Sequence, residues 1–377
     1  MPELNYKVIK NMELKIGLEG IAVAETKISR VDGERGRLIF RGHYITDIIK
    51  EKNYEEVIFL ILEGRFPSAV EFDLLDQMLK QNREIPHHVK TILEALPKNT
   101  PVMQAIRTAV SALSVSGAAW PPTKQQCLEI FAKIPTIITY FYNFSRGVKI
   151  TPPNHDLSHA ANYLYMLHGK KSSESHVKAL ETYLMLSIDH GMNASTFTAR
   201  VVTATEENIV GAITAAISAL DGPLHGGAPS KVDDMLYAIG TMENAEPWIR
   251  KKLEAGERLM GFGHRVYKTY DPRAMALKEV TQSLASDENP LFKLALHVES
   301  TAIRLLEEYK AGRNLYTNLE FWTAGVLRTI ELPDALYTPT FCLSRVIGWS
   351  AHIIEQSENN RLIRPGSIYI GVDPECR

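Results

Sequence analysis

Five short segments of the chain carry side chains whose type and setting suit catalysis. In Gly222-Pro223-Leu224-His225-Gly226-Gly227 a histidine sits in a glycine-rich turn. Glycines let a ligand approach the backbone closely. The next helix should start near Pro229, and a helix N-terminus disfavours imidazolium. A neutral His225 there can donate a hydrogen bond to a carbonyl oxygen that is turning negative. A second histidine lies in Gly261-Phe262-Gly263-His264-Arg265-Val266-Tyr267-Lys268, followed by Thr269-Tyr270-Asp271-Pro272-Arg273. The backbone amides of such a loop, with Arg265, Lys268 and Arg273 nearby, suit an anion such as a phosphate. The pattern is not GxGxxG and no strand precedes it, so a dinucleotide reading is weak.

Three further segments add to these. Asp189-His190-Gly191-Met192-Asn193 puts His190 at a helix end, where the dipole favours its protonated form. A ligand carboxylate would also suit it. Asn318-Leu319-Glu320-Phe321-Trp322 sets one carboxylate beside large apolar groups. Desolvation there raises its pKa and makes it a stronger base. Arg345 interrupts the apolar run Leu343–Trp349, and a buried guanidinium needs an anion. Arg364 precedes Pro365, so it is extended and can project away from the local fold. Each segment also has a plain structural reading: a surface turn, a solvated basic loop, a dipole-satisfied histidine, a water-facing glutamate, a salt bridge. No GxSxG nucleophile elbow is present.

The elements that must position these groups are mostly helical. Ser172 or Ser173 caps a helix with Val177, Leu180, Leu184 and Ile188 on its apolar face, and Gly191 stands where it should stop. Residues Asn208–Leu220 are apolar nearly all round, as in a buried helix. Glu206 and Glu207 suit its first turn, and Asp221-Gly222-Pro223 ends it. A helix spans Leu291–Tyr309, with Asn289 as cap and Pro290 in its first turn. Strand signals are few. Glu25–Ser29 and Arg37–Arg41 read as a hairpin around Val31–Gly36, and Ser367–Ile370 as a short strand. The alternation that a parallel α/β sheet demands is missing.

The bulk numbers agree with a folded enzyme. The 377 residues are 45% hydrophobic and 23% charged, too apolar for disorder. A formal net charge of -2 gives no global basic field for nucleic acid. Cys127, Cys342 and Cys376 are too scattered for a disulfide framework or metal clip, which suits a reducing compartment. The first fifteen residues hold no apolar core of signal-peptide length, and nothing approaches a membrane span. A cytoplasmic enzyme that binds neither nucleic acid nor membrane is expected.

Taken in order, GPLHGGA at 222–228, GFGHRVYKTYDPRA at 261–274 and LSRVIGW at 343–349 resemble the citrate synthase family. The likeness runs from Thr26 to Pro365 and is nearest to the short bacterial and archaeal enzymes. It implies an all-α, two-domain fold with a minor β-hairpin near the N-terminus. Residues 1–221 and 326–377 would form a large helical domain and residues 222–325 a small one. It implies an acyltransferase that condenses acetyl-CoA with oxaloacetate and water to citrate and CoA. His225 would stabilise the acetyl-CoA enol or enolate. His264 would polarise the oxaloacetate ketone, and Glu320 would remove the methyl proton. His190, Arg273, Arg345 and Arg364 would bind carboxylates, Arg364 reaching across from the partner in a homodimer. Gly261, Phe262, Gly263, Arg265 and Lys268 would hold CoA. No metal or redox cofactor is implied, the CoA thioester being a substrate. Most family members carry aspartate where this chain has Glu320.

Other readings stay open. Propionyl-CoA would make the enzyme a 2-methylcitrate synthase. His155-Asp156-Leu157-Ser158-His159 would place two histidines one helical turn apart, as in a metal hydrolase, though HExxH needs a glutamate after the first histidine. A non-catalytic helical scaffold would leave Arg345 and the histidines beside glycine without a reason.

Overall fold

The computed structural model describes residues 14–226, 228–264, 266–284 and 290–372, with the side chains of 228–230 left aside. Gly227, Arg265, Asn289 and Cys376 lie outside the described residues. The chain is all-α apart from one small sheet. Strands β1 Ser29–Asp32, β2 Arg37–Phe40 and β3 His43–Tyr44 form an antiparallel meander, with Asp32 opposite Arg37. Helices α1 Ile45–Glu51, α2 Tyr54–Glu63, α3 Ala69–Gln81, α4 His87–Ala95, α5 Val102–Ser111 and α6 Lys124–Ser145 follow. Next come α7 His159–His168, α8 Glu174–Ser187, α9 Ala194–Thr203 and α10 Ile209–Leu220. The last six are α11 Ala228–Ile239, α12 Met242–Glu254, α13 Pro272–Leu284, α14 Pro290–Tyr309, α15 Leu319–Thr329 and α16 Tyr337–Glu358.

The long helix α16 is the axis of the packing. Helices α2, α6, α8, α9 and α10 surround it, and Leu343, Val346, Ile347, Trp349 and Ile353 are fully buried among them. Burying each such side chain stabilises by roughly 1.5–3 kcal/mol. Helices α11 to α15 pack largely on one another, α12 against α14 and α15 against α11 and α13, while α13 and α15 also meet α8. The ends of α8 and α10 and the start of α15 therefore converge. A division between residues 325 and 326 falls inside α15.

Side-chain caps set where the site-bearing helices begin. Ser173 caps α8, Asn193 caps α9, Asn208 caps α10 and Asn318 caps α15, each oxygen accepting a free first-turn amide. Some expectations move. Helix α8 ends at Ser187, so Gly191 (φ 63°) marks a later turn and His190 stands beyond the helix. Glu206 and Glu207 precede the α10 cap rather than sitting in its first turn. The hairpin turn is four residues, because Val31 pairs with Leu38 and packs on the core instead of joining the loop. Ser367–Ile370 is not a strand: Tyr369 and Ile370 are 74% and 94% exposed, and no described strand pairs with them. His155 lies before α7 while His159 opens it behind the Ser158 cap, so the two do not share a helical turn. No metal-holding cluster of His, Cys, Asp or Glu occurs among the described residues.

Candidate active site

A cavity of about 190 Å³ opens where these elements meet. His190, His225, His264, Arg273, Glu320 and Arg345 all line it, joined by Tyr183, Asn193, Thr323 and Phe341. Six side chains singled out from the sequence thus converge. Gly261, Phe262, Gly263, Lys268 and Arg364 are not part of this lining.

His225 sits on the short link between α10 and α11. Its amide donates to Gly222 O at 2.9 Å, closing a turn. A Cβ on the following Gly226 would stand 2.4 Å from Leu220 O, so only glycine lets this link fold back on α10. His225 Nε2 is 2.8 Å from Ser195 Oγ, which also contacts Asn193 Oδ1 at 2.8 Å and accepts from Trp349 Nε1 at 3.1 Å. Burial first, then Arg345, lowers the His225 pKa to about 4. The ring is therefore neutral near pH 7.

His264 is neutral for a similar reason. Burial, then Arg273, lowers its pKa to about 4. Its Nδ1 accepts from the amides of Val266 at 3.0 Å and Tyr267 at 3.1 Å. The ring proton is thus assigned to Nε2. The loop is held from two sides. Gly263 N donates to Tyr316 O, Asn318 N to Gly261 O, and Asn318 Nδ2 to Gly263 O, which ties the loop to the start of α15. The Gly263 amide is thereby directed at protein, away from the phosphate-holding role read from the sequence. From the other side Lys268 N donates to Gly33 O at 2.8 Å. A Cβ on Gly33 would meet Val266 O at 2.1 Å, so the β1–β2 turn can dock here only through glycine.

His190 also stays uncharged. Burial, then Arg273, Arg345 and His264, holds its pKa well below the usual value. This reverses the protonated, dipole-stabilised histidine expected from the sequence, because the helix has already ended and cations crowd the ring. His190 stands 5.2 Å from His264 edge-on, and its Nε2 is 3.3 Å from Tyr267 OH.

Glu320 is the second residue of α15, with its amide given to Asn318 Oδ1 at 3.0 Å. Burial raises its carboxyl pKa to about 7, despite the opposing pull of Arg273. A carboxylate of that basicity suits general-base work at neutral pH. The two lining arginines differ. Arg273 is 4% exposed and already forked onto Asp271, Nη2 to Oδ2 at 2.8 Å and Nε to Oδ1 at 3.0 Å. Asp271 Oδ2 also accepts the Leu319 amide at 3.2 Å, tying Arg273 to the helix that carries Glu320. Arg345 is 3% exposed, rests over the Phe341 ring at 4.6 Å, and its Nε and Nη1 have no hydrogen-bond partner among the described residues. Burial lowers its pKa to about 10, against the attraction of Asp189. A buried guanidinium with open donors is a receptor for a carboxylate.

Several of these groups escaped the sequence reading. Ser195 and Tyr183 lie in ordinary helical stretches with no glycine or charge to mark them. Asp271 stood inside a quoted motif, but only its fork onto Arg273 shows what it does. Arg364 is exposed on the segment after α16.

The chain is similar to known proteins over nearly its whole length. A family model described as "Citrate synthase, C-terminal domain" matches residues 17–366. "Citrate synthase 2" of Bacillus subtilis is 38% identical over 95% of this chain and 96% of its own. A 2-methylcitrate synthase of Shewanella oneidensis is 36% identical over 95% of each. The citrate synthase of Thermoplasma acidophilum, solved with carboxymethyl coenzyme A and oxaloacetate, superposes with TM-score 0.88 and 31% identity, covering 97% of this chain and 100% of that one.

Proposed function

The chain belongs to the citrate synthase family, and on that footing we propose that it condenses acetyl-CoA with oxaloacetate and water, releasing citrate and CoA. The observation that carries the reading is a raised carboxyl, two neutral histidines and a buried guanidinium with two donors open among the described residues, all around one cavity. Glu320 takes a proton from the acetyl methyl group. His225 donates to the thioester oxygen as negative charge moves onto it. The methyl carbon then attacks the oxaloacetate ketone, and His264 gives its Nε2 proton to the new alkoxide. Water cleaves the resulting thioester, and CoA leaves as a thiol. A thioester α-proton is only weakly acidic, so base and oxyanion donor must act together. Neutral donors serve better than charged ones here, since they do not trap the ground-state carboxylates.

Arg345, Arg273 and His190 hold the oxaloacetate carboxylates, the two forks supplying directional donors. Arg364 enters from the partner of a homodimer. Gly261, Phe262, Gly263, Arg265 and Lys268 hold parts of CoA, Gly263 without its amide, which is given to Tyr316 O. The small helical domain closes over the bound substrate and excludes water. Thiol release on mixing acetyl-CoA and oxaloacetate tests the whole reading; a protein that binds both and releases no thiol would end it.

The relative from Shewanella oneidensis keeps propionyl-CoA in view. One methylene changes preference by about 1–3 kcal/mol. Steady-state kcat/KM for both acyl-CoAs decides between them.

A further inference from the structure

A line of buried charge leaves the cavity behind His190. Asp189 is fully buried. Its Oδ2 accepts from the Gly191 amide at 3.1 Å and from Ser29 Oγ. Its Oδ1 faces His352 Nε2 at 3.3 Å, off the line of a full hydrogen bond. His352 is also fully buried, on α16 and two turns past Arg345. Its Nδ1 accepts from Arg200 Nη1 at 2.9 Å, so the ring proton belongs on Nε2, toward Asp189. Arg200, on α9, donates onward to Glu355 Oε2 at 2.9 Å and Gln356 Oε1 at 3.2 Å. Glu355 Oε1 accepts the Lys27 amide at 2.8 Å.

Asp189, His352 and Arg200 do not line the cavity. Charge neutralisation alone does not explain where they stand. Asp189 grips the turn that carries His190, and its negative charge acts on Arg345, whose Nε and Nη1 have no hydrogen-bond partner among the described residues. A buried carboxylate with one support removed seeks another partner, and Arg345, whose charge already acts on Asp189, is one at hand. Were Asp189 to swing toward Arg345, it would occupy the receptor meant for the substrate.

We propose that His352 is a positioning residue: bridging Arg200 and Asp189, it holds Asp189 on the His190 turn and off Arg345, and so sets oxaloacetate affinity without touching substrate. This rests on the reading that Arg345 and His190 receive oxaloacetate. The test compares His352→Leu, His352→Gln and His352→Asn in the full chain. Glutamine reaches Asp189 with an amide donor in place of Nε2–H; asparagine is too short. His352→Leu and His352→Asn should raise the oxaloacetate KM by on the order of tenfold, with the acetyl-CoA KM unchanged and kcat reduced less. His352→Gln should stay within about threefold of wild type. A merely structural histidine would lower the yield of active enzyme and leave both KM values alone, which overturns the proposal. Should His352→Leu fail to fold, the other two variants decide, and equal oxaloacetate KM values for them overturn it as well. Absence of thiol release from wild type would instead sink the functional reading.

Discussion

Replacing Glu320 with glutamine keeps the shape of the side chain and removes only the base. The structure puts magnitudes on two effects. A rise in the carboxyl pKa from 4.5 to about 7 corresponds to on the order of 3 kcal/mol against the ionised form in the fold. For a carboxyl whose folded pKa is raised, the penalty is near zero at the unfolded value and grows to its full size above the folded one. Glu320→Gln should therefore stabilise the fold above pH 7 by up to about 3 kcal/mol, and that gain should fade toward pH 4.5. Over the same range catalysis should collapse, since general-base removal costs roughly a hundred- to ten-thousandfold. Wild-type kcat/KM for acetyl-CoA should fall about tenfold per pH unit below about 7. His225 and His264, lowered to about 4, stay neutral across that limb and do not contribute to it. The assays are denaturant unfolding at several pH values, thiol release, and oxaloacetate binding by calorimetry. Turnover of Glu320→Gln within tenfold of wild type, or a flat wild-type profile across this range, would refute the assignment of the base.

Four other outcomes are expected. Glu320→Asp should lower kcat by on the order of ten- to a hundredfold, because the carboxylate retreats by about one bond length from a site arranged for glutamate; a higher kcat would mark the wild type as a slow member of its family. Arg345→Leu should raise the oxaloacetate KM at least a hundredfold by leaving the dicarboxylate and buried Asp189 without that cation, while a KM within threefold would exclude Arg345 as the receptor. Gly33→Ala should reduce kcat/KM about tenfold by lifting the β1–β2 turn off Val266, with far-UV circular dichroism unchanged; unaltered kinetics would show that the contact does not bear on His264. Chelation should leave turnover unchanged, and a loss restored by added zinc would reopen a metal mechanism.

What the sequence could reveal depended on whether a residue marked its place at the cavity locally. His225 and His264 did, because glycines beside a histidine signal a close approach, although at Gly226 the approach is to Leu220. Arg345 did, because a guanidinium inside an apolar helix demands a partner. Helix starts were legible from Ser173 and the proline at 290, since capping is a local interaction, whereas the Asn208 cap was passed over in favour of Glu206 and Glu207. Hairpin register was not: Val31 belongs to the strand because of the core beneath it, a tertiary fact. The charge on His190 was misjudged for the same reason, since Arg273 and Arg345 reach it only through the fold. Ser195, Asp271 and His352 act through partners many residues away or through geometry within a loop, and neither leaves a trace in composition or period.

The docking of the β1–β2 turn on the loop after His264 also bears on how the molecule comes together. The Lys268 amide and the Gly33 carbonyl that it bonds lie most of the chain apart in sequence. Each helix closes over neighbours a few positions apart and forms quickly, whereas a contact so distant in sequence pays a large loop-closure entropy and comes late. During refolding, helical circular dichroism should therefore return before turnover does. The interval between the two signals would time the arrival of that turn, so the smallest piece of β-structure in the chain governs when a helical molecule becomes competent.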